Sequence, residues 1–504
     1  MTHYDVIIVG AGLSGIGAAY HIKDRCPSKT YTILEGREAI GGTWDLFRYP
    51  GVRSDSDMHT LGYSFKPWRA AKAIADGPAI KKYVVETADE NAITEHIRFK
   101  HQVTDAAWST AEARWTVTAH VAGETVQYTC NLLYMNSGYY NYDKGFTPEF
   151  DGIENFKGTI VHPQFWPEDF DYSDKRVVVI GSGATAMTLV PSMAEKASKV
   201  TMLQRSPTYV VSRAAEDKIA NTLRKLLPEK IAYAITRFKN VELGRIMYNR
   251  TRSKPEKMKT FLINMVRDQL GPDYDVEKHF TPSYNPWDQR LCLVPDADLF
   301  TAIKSGKAEI VTETIDCFTD NGIKLTNGET LEADIIITAT GLNMKLLGGA
   351  TFSVDGKAVD FPETLSYKGL MYSDTPNLVQ TFGYINASWT LRADINAEFV
   401  CRMLNKMDEL GLRQCTPRLR DEDKNMETKP WVADFTAGYM QRMIHLFPKQ
   451  GVSGPWQNTQ NYAKDKKMIR KAPLEDGSLI FDNPPSAAVP AAVVAAAQQQ
   501  KNAA

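Results

Sequence analysis

The pattern of apolar and polar positions predicts a strand, a glycine-rich turn, a helix and a second strand at the start of the chain. The first strand covers Asp5 to Val9, the turn Gly10 to Gly15, the helix Ile16 to Asp24 and the second strand Tyr31 to Leu34. A buried strand followed by such a turn and an amphipathic helix is typical of a βαβ unit. The chain therefore begins as an α/β protein with a parallel sheet.

A second unit of the same kind is predicted further along the chain. Its strand covers Arg176 to Ile180, its turn Gly181 to Ala186, its helix extends to about Ala197, and its second strand covers Lys199 to Leu203. The two units lie too far apart to be neighbouring repeats of a solenoid. We therefore predict two Rossmann-like domains, each built to bind a dinucleotide.

The remaining pattern supplies further strands and one long helix. Trp115 to Val121 and Thr125 to Cys130 alternate as hairpin strands do, and Leu132 to Met135 is predicted as a buried strand. The strand pattern returns from Ile310 to Ile337, and Thr390 to Glu409 is predicted as a helix. These elements extend both predicted domains.

The segment from Arg213 to Leu270 is helical by pattern and carries 14 basic and 6 acidic residues. Two interpretations remain open for it: a solvated helical insert, or a surface that meets a membrane or a partner. The tail from Asn483 to Ala504 consists mainly of alanine, proline and glutamine. Such a composition has little to bury, so we expect the tail to be disordered.

Composition excludes several classes of protein. The 504 residues carry a formal net charge of −1, so we expect no general attraction to nucleic acid. The six cysteines form neither a CxxC pair nor a zinc-binding spacing, so we expect no metal site and no redox-active disulfide. Neither a signal peptide nor an apolar stretch of about 20 residues is present, which predicts a cytoplasmic protein without a membrane span.

The first glycine turn has the form GxGxxG, with Gly10, Gly12 and Gly15 at its glycine positions. In such a turn the first glycine allows the tight bend, the second lets a pyrophosphate approach the backbone, and the third lets the helix pack on the strand. Glu35 ends the next strand, where a carboxylate can accept hydrogen bonds from ribose hydroxyls. A turn of purely structural use is the alternative, but the acidic residue favours FAD as the ligand.

The second turn places Gly181, Gly183 and Ala186 at the same positions. Arg205 stands where the first unit has its acidic residue, and Ser206 follows it. A carboxylate at this place would repel a 2'-phosphate, whereas a guanidinium can bind it through two hydrogen bonds. Although Arg205 could instead be an ordinary surface arginine, we predict that this site prefers NADPH to NADH.

The segment Ala333 to Gly341 is predicted as a buried strand that runs into a small-residue turn and returns the chain to the first domain. An ordinary buried strand is the alternative. The predicted boundaries are 1–145 and 336–482 for the FAD domain, 146–212 and 286–335 for the NADPH domain, 213–285 for a helical insert and 483–504 for the tail.

Two longer motifs make a family resemblance specific. The pattern FxGxxxHxxxWP is met by Phe156, Gly158, His162, Trp166 and Pro167. The pattern [AG]GxWxxxx[FY]P[GM]xxxD is met by Gly41, Gly42, Trp44, Tyr49, Pro50, Gly51 and Asp55. With these motifs, and with sequence similarity that extends to about Phe481, the chain resembles type I Baeyer-Villiger monooxygenases, in particular the ethionamide-activating, EtaA-type branch.

The resemblance implies a glutathione-reductase-like FAD domain with an inserted NADPH domain. It also implies an NADPH- and O2-dependent oxidation of ketones to esters or lactones through a C4a-peroxyflavin, with thioether or thioamide oxygenation as a side activity. Arg290 matches the family's catalytic arginine, whose permanent charge would stabilise the anionic oxidant. Asp55 matches the carboxylate that orients this arginine, although it could instead cap a helix. His162 and Trp166 are expected in the linker between the two domains.

The fingerprints and the resemblance together give a set of expected cofactor-binding residues. On the FAD side they are Gly10, Gly12, Ser14, Gly15, Glu35, Thr43, Trp44, Asp45, Leu46, Arg53, Ser54, Asp55 and Val103. On the NADPH side they are Gly181, Ser182, Gly183, Ala184, Thr185, Ala186, Arg205, Ser206 and Gln289. Many family members carry lysine where this chain has Gln289, so the preference for NADPH is expected to depend mainly on Arg205.

Three other functions remain open from the sequence. The nearest is a flavin-containing monooxygenase that oxygenates only nitrogen or sulfur. The pair Trp166 and Pro167, the motif that contains Trp44, and Arg290 argue against it. A flavin reductase that serves a protein partner, and a non-catalytic flavoprotein that docks through the basic insert, are more distant. The substrate is expected to be a small ketone or sulfur compound, possible aromatic pocket residues include Trp389, and the oligomeric state is open.

Overall fold

The computed structural model describes residues 1–433 and 435–484. Two sheets, each with a glycine turn at the carboxyl end of a strand, form the two halves of the structure. The predicted tail lies outside the described residues, apart from Asn483 and Pro484.

The first sheet combines a parallel part with an antiparallel part. Its nine strands are Lys357–Ala358, Thr351–Val354, Gln102–Ser109, Arg114–Val121, Glu124–Met135, Thr2–Val9, Tyr31–Leu34 and Ile97–Arg98 in spatial order, with Leu378–Gln380 pairing in parallel beside the end of Glu124–Met135. Val9 lies opposite Leu34 on one side and opposite Met135 on the other. Because this strand is flanked by parallel neighbours and covered by helices, its apolar residues are buried on both faces.

Helix Leu13–Arg25 and helix Trp389–Leu410 cover the first sheet and pack against each other. Ile16 of the first helix and Ile395 and Phe399 of the second are fully buried in one apolar cluster. The long helix therefore belongs to the same domain as the N-terminal turn, although most of the chain separates them. Shorter helices of the structure are Thr43–Leu46, Met58–Leu61, Gly77–Glu90, Gly438–Met443 and Tyr462–Asp465.

The second sheet is entirely parallel. Its strand order is Ala308–Thr312, Lys199–Gln204, Arg176–Ile180, Ile335–Thr338 and Thr159–Val161. The helices Ala184–Met193 and Asp298–Lys304 pack on it, and a three-stranded antiparallel sheet lies beside it, formed by Ile315–Thr319, Gly322–Leu325 and Thr330–Glu332. Ile335–Thr338 pairs with Arg176–Ile180 along its whole length, so the chain leaves this sheet only after Thr338.

Five further strand pairs tie the chain together. They are Tyr140–Gly145 with Leu342–Met344, Val210–Arg213 with Cys292–Pro295, Ser366–Tyr367 with Met371–Tyr372, Gln414–Pro417 with Leu479–Asp482, and Thr428–Pro430 with Lys449–Gly451. The first pair joins the two segments in which the chain crosses between the sheets. Both crossings therefore form one hydrogen-bonded ribbon.

The basic segment folds into the helices Lys218–Leu226, Glu229–Ser253 and Pro255–Leu270, followed by Val276–Phe280. Arg237 ties the longest of them to the first domain, because its guanidinium donates to the carbonyl oxygens of His59 and Gly62 and pairs with the buried Asp394. Among residues 1–433 and 435–484, no helix has both the length and the apolar character needed to cross a bilayer.

Most elements predicted from the periodicity are confirmed, although several limits differ. Both nucleotide helices begin inside the predicted turns, at Leu13 and Ala184. The second nucleotide helix ends at Met193 and is followed by turns, whereas the pattern predicted it to about Ala197. The two strands predicted at 125–130 and 132–135 are one strand, Glu124–Met135. Its first part pairs with a hairpin partner and its last part enters the parallel sheet, so one continuous strand shows two different patterns.

Candidate active site

A cleft of about 350 Å³ lies between the two domains. Both glycine turns reach it: the first through Gly10 and Gly12, the second through Ala184 and Thr185 at the start of its helix. The other predicted residues along its walls are Ser14, Glu35, Thr43, Trp44, Arg53, Ser54, Asp55, Val103 and Arg290. The structure thus brings most of the predicted site together in one place.

The first turn can be built only with glycine at two of its positions. Gly10 has φ +102°, and a Cβ atom there would lie 2.6 Å from the carbonyl oxygen of Asn136. A Cβ atom on Gly15 would lie 1.8 Å from the carbonyl oxygen of Gly10. The turn therefore fits tightly between its helix and the strand that ends at Met135.

Glu35 holds the first turn in place. One carboxylate oxygen accepts the backbone N–H of Ala11 at 2.6 Å, and the other accepts that of Arg37 at 2.8 Å. Burial raises the pKa of Glu35 above its ordinary value, and these two backbone hydrogen bonds lower it in part. Each oxygen can accept a further hydrogen bond, and Glu35 lines the cleft, so the carboxylate is available to a ribose hydroxyl.

The cleft wall beside the first turn presents unpaired polar atoms. Asn136 Oδ1 and Ser137 Oγ are buried and have no hydrogen-bond partner within the described residues. The helix Leu13–Arg25 begins at Gly12 without a side-chain cap, so its first N–H groups are also available. Unsatisfied donors and acceptors of this kind fit the pyrophosphate and ribose of a dinucleotide.

Two predicted residues act on the cleft indirectly. The side chains of Asp45 and Leu46 are buried outside the cleft lining. Asp45 accepts from Arg37 and, at 2.6 Å, from Lys81, so the carboxylate positions these cations. Arg37 itself lies on the cleft wall, with its guanidinium 5.6 Å from the ring centre of Tyr142. Arg37 was not identified from the sequence, although it follows Glu35 by only two positions.

The motif segment from Tyr49 to Asp55 connects the two domains. A Cβ atom on Gly51 would lie 1.9 Å from Ser192 Oγ of the second nucleotide helix, so the segment touches that helix closely. Arg53 forms an ion pair with Asp298 of the neighbouring helix. The glycine at this motif position is thus required for contact between domains.

Arg290 and Asp55 form an ion pair in the cleft. Arg290 Nη1 donates to Asp55 Oδ2 at 2.8 Å, and both side chains are about one third exposed towards the cleft, at 35% and 36%. The carboxylate that caps helix Met58–Leu61 is Asp57, which accepts the N–H of Thr60. Of the two interpretations of Asp55, the structure therefore supports the contact with Arg290.

Three tyrosines surround the Arg290 guanidinium. Desolvation lowers the pKa of Arg290, but Tyr439, Asp55, Tyr139 and Tyr140 outweigh it, so this pKa lies well above its ordinary value. Burial in turn raises the pKa of Tyr140 and of Tyr439 to about 12. At neutral pH the group is therefore a fixed cation beside neutral hydroxyls. Tyr439 carried no sequence signal, because it is remote from every motif.

A small aromatic recess adjoins the cleft beside Arg290. Its walls are Tyr139, Phe382, Tyr384, Ile385, Trp389, Tyr439 and Met440. Trp389 stacks on Tyr139 with ring centres 5.4 Å apart, and its Nε1 donates to Ser14 Oγ at 2.7 Å. Trp389 therefore joins the first nucleotide helix to the apolar end of the cleft.

The second glycine turn is more open than the first. Gly181 has φ +132° and packs against Ala339, but a Cβ atom on Gly183 would meet nothing within 4 Å. Ser182 Oγ donates to the carbonyl oxygen of Ser206 at 3.1 Å, which places Arg205 and Ser206 beside the turn. Arg205 is exposed and has no ion-pair partner in residues 1–433 and 435–484. The helix that starts at Ala184 lacks a side-chain cap, which also fits a phosphate ligand.

His162 lies at the ribbon where the chain crosses between domains. A Cβ atom on Gly145 would be 2.1 Å from the imidazole ring, and His162 Nε2 lies 3.2 Å from the carbonyl oxygen of Gly341. His162 Nδ1 accepts the backbone N–H of Gln164, so Nε2 carries the proton. Desolvation lowers the pKa of His162, hence the ring is neutral at neutral pH and joins both crossings.

The other fingerprint residues pack within the second domain. A Cβ atom on Gly158 would lie 2.4 Å from the carbonyl oxygen of Asp334 and 2.5 Å from the ring of the buried Phe156. The Trp166 ring packs edge-on against Phe170 at 5.5 Å, and Pro167 is exposed. These contacts fix the end of the linker to the second sheet. Gln289 lies next to Arg290 in a loop held by a backbone bridge to Pro286.

The geometry is that of a flavoprotein with a second nucleotide site, and comparison with known families agrees with it. Residues 72–347 match the family described as flavin-binding monooxygenase-like, and residues 8–76 match an NAD(P)-binding Rossmann-like domain. The chain is 53% identical over 485 residues to the FAD-containing monooxygenase EthA of Mycobacterium tuberculosis, covering 96% of this chain and 99% of that one. The chain therefore belongs to the flavin-binding monooxygenase family.

Other similar proteins extend this picture. The probable FAD-binding monooxygenase AlmA of Acinetobacter baylyi is 47% identical, with 95% of this chain and 96% of that protein covered. Among solved structures, a steroid monooxygenase bound to NADP has a TM-score of 0.76 at 21% identity, covering 96% of this chain and 100% of that one. An open form of cyclohexanone monooxygenase has a TM-score of 0.74 at 19% identity, covering 96% and 100%. These likenesses confirm the predicted fold class, and the predicted FAD and NADP(H) agree with what the similar proteins are named as holding.

Proposed function

We propose that this monooxygenase catalyses the NADPH- and O2-dependent Baeyer-Villiger oxidation of ketones to esters or lactones, with Arg290 as its catalytic cation. The observation that carries the proposal is the Arg290–Asp55 pair, 2.8 Å apart, in a cleft reached by both nucleotide turns. Bound FAD, once reduced by NADPH, would activate dioxygen, so that one oxygen atom enters the ester and the other is released as water. The residues of this chain bind the two dinucleotides, position the ketone and stabilise negative charge.

Arg290 is suited to stabilise an anion throughout the reaction. A Baeyer-Villiger oxidation passes through a negatively charged adduct of the ketone, and a cation fixed beside that adduct lowers the barrier. Asp55 keeps the guanidinium in one orientation through a charge-assisted hydrogen bond. The neutral hydroxyls of Tyr140 and Tyr439 can donate to the same charge without adding a competing anion.

Each dinucleotide has its own set of residues. The buried Glu35 and the uncapped helix at Gly12 would bind the ribose and pyrophosphate of FAD. Arg205 and Ser206 would bind the 2'-phosphate of NADPH, and the uncapped helix at Ala184 its pyrophosphate. The structural neighbour bound to NADP supports a nicotinamide dinucleotide as the second ligand, and the neighbour named for cyclohexanone, a ketone, supports a ketone as the substrate.

The proposed ketone site is the part of the cleft beside Arg290, next to the aromatic recess. The recess itself, at about 10 Å³, has room for only one water molecule, so its aromatic side chains serve as an apolar wall of the ketone site. Small thioethers and thioamides would enter the same part of the cleft, because they are similar in size to the ketones. Sulfur oxygenation is therefore included as a side activity.

The test is a product analysis of the FAD-loaded enzyme with NADPH and isotopically labelled dioxygen. An aliphatic methyl ketone, a thioether and a tertiary amine are supplied separately, and the products are identified by mass spectrometry. The proposal predicts an ester that carries one labelled oxygen atom, formed only when NADPH is present. Labelled sulfoxide or N-oxide without any ester would assign the chain to nitrogen and sulfur oxygenation instead.

A further inference from the structure

The outer face of helix Glu229–Ser253 carries a row of exposed apolar side chains. Ile231, Ile235, Phe238 and Ile246 follow one another at helical spacing, and Phe238 is 70% exposed. The opposite, inner face holds the buried Ala232, Tyr233 and Thr236, which pack towards the first domain. The helix thus has an inner face that belongs to the fold and an outer apolar face without a partner in residues 1–433 and 435–484.

The apolar surface continues onto the neighbouring helices. Exposed large apolar residues of this region are Ile219 and Leu226 on helix Lys218–Leu226, Leu243 and Met247 on the long helix, and Phe261 on helix Pro255–Leu270. Of the exposed large apolar residues in the described chain, most therefore lie in this one insert. Such a concentration marks an interaction surface.

Basic side chains accompany the apolar ones. Lys218, Lys225 and Lys230 are exposed, and each directly precedes an exposed apolar residue. Within the described residues none of the three has an ion-pair partner. The nearby Glu242 is neutralised by Arg245. This local excess of positive charge contrasts with the net charge of −1 for the whole chain.

We propose that this insert surface docks on the headgroup region of an anionic lipid bilayer. Exposed aliphatic and aromatic side chains beside lysines are what an interfacial helix presents to lipid: the apolar groups enter the acyl boundary and the lysines reach the phosphates. No described helix can cross a bilayer, so the contact lies in the plane of the surface. Pairing with a second copy through the same surface would oppose lysine to lysine, which disfavours self-association.

The docked face is one helix away from the proposed active site. Tyr233 Oη donates to the carbonyl oxygen of Tyr63 at 2.9 Å, and Asn240 donates to Asp57 at 2.9 Å. These contacts are with the segment that directly follows Asp55. Docking would therefore place the cleft close to the lipid surface. Apolar substrates dissolved in the bilayer would reach the cleft from that surface.

The experiment is a vesicle flotation assay with the full FAD-loaded chain. One set of vesicles contains phosphatidylcholine with about 30% phosphatidylglycerol, and the other phosphatidylcholine alone. We expect binding to the anionic vesicles that weakens strongly at about 0.5 M salt. Protein that stays unbound at low salt, or that binds neutral vesicles equally well, would overturn the proposal.

Two double variants separate the two parts of the surface. Ile231→Ser with Phe238→Ser removes apolar contacts, and Lys225→Glu with Lys230→Glu reverses charge. Each is expected to weaken binding about tenfold or more, while melting temperature and flavin content stay unchanged because all four side chains are exposed. Undiminished binding of either variant would contradict the proposed surface.

Matched controls carry the same changes elsewhere. Leu410→Ser with Leu446→Ser replaces two leucines that are each 42% exposed, and Lys357→Glu with Lys429→Glu reverses two exposed lysines outside the insert. Both controls should bind as the unchanged protein does. Sedimentation without vesicles completes the design: an assembly that dissociates only in the Ile231→Ser, Phe238→Ser variant would identify a second copy as the occupant and overturn the lipid proposal.

Discussion

The turn over Gly10–Gly15 is enclosed, whereas the turn over Gly181–Ala186 is open to solvent. In the first, the acidic residue at the end of the next strand is buried and already bonded to two backbone N–H groups. In the second, the residue at the same place is Arg205, which is exposed. Two turns with the same local fold are thus built for two different kinds of binding.

The difference agrees with the proposal that the two turns hold their dinucleotides for different lengths of time. An enclosed site with pre-arranged partners holds a ligand through many turnovers, because little must be ordered when it binds. An open site with an exposed cation allows repeated binding and release. The comparison therefore supports the proposal that the first turn holds FAD through many turnovers and that the second binds and releases NADPH.

Among the changes that test this comparison, the largest effect is expected when one methyl group is added to the first turn. Gly10→Ala places a Cβ atom 2.6 Å from a carbonyl oxygen at positive φ, so we expect flavin content to fall about tenfold or more. Gly183→Ala is the matched control, since its Cβ would meet nothing within 4 Å. It should keep full flavin content and the same melting temperature, and raise only KM for NADPH. The flavin content is measured by absorbance after gel filtration. An unchanged flavin content in the Gly10→Ala variant would contradict the difference between the two turns.

The next effect concerns the cation of the open site. Arg205→Ala removes the charge-assisted hydrogen bonds to a 2'-phosphate, so KM for NADPH should rise about tenfold or more. KM for NADH, which lacks that phosphate, should stay the same. Steady-state kinetics with both cofactors test this. An equal rise for both would show that Arg205 does not recognise the phosphate.

A smaller effect is expected at Gln289. Gln289→Lys adds a cation beside the proposed NADPH site, so KM for NADPH should fall a few-fold while KM for NADH changes little. Before the change, NADPH should already be preferred through Arg205. Equal kcat/KM for the two cofactors in the unchanged enzyme would refute that preference.

The smallest effect concerns the ribbon between the domains. Desolvation lowers the pKa of His162 from its ordinary value of 6.5, so the unfolded chain binds this proton more readily than the folded chain. The stabilising effect of neutral His162 is therefore complete above pH 6.5 and is lost as the pH falls below that value. His162→Gln lacks this titration, so its melting temperature should approach that of the unchanged protein as the solution is acidified. A constant difference across that pH range would contradict the account.

Much of this fold could be predicted because its two βαβ units have strong local patterns. The strand limits Tyr31–Leu34 and Arg176–Ile180 agree with the structure, since glycine and charged residues mark their ends. The single strand Glu124–Met135 could not be predicted, because its surroundings change along its length. The predicted domain limit between residues 335 and 336 shows the same difficulty. The sequence pattern alone does not show that the whole strand Ile335–Thr338 pairs within the second sheet.

The site shows a similar division. The motifs supplied Glu35, Asp55 and Arg290, which lie together on the cleft. Arg37 and Tyr439 were missed, because their importance comes from contacts between distant segments. Family motifs therefore identify the polar centre of the site, while its aromatic surroundings become visible only in three dimensions.

The central claim is that the Arg290–Asp55 pair directs oxygen into a ketone. The most direct test measures ester formed per NADPH consumed for the unchanged enzyme and for Arg290→Ala, with Asp55→Asn as a variant that keeps the shape of the pair. The account predicts that the Arg290→Ala variant still consumes NADPH, but that its yield of ester per NADPH falls by a factor of about one hundred or more. Asp55→Asn should lie between the two. An unchanged yield of ester per NADPH in Arg290→Ala would contradict the account.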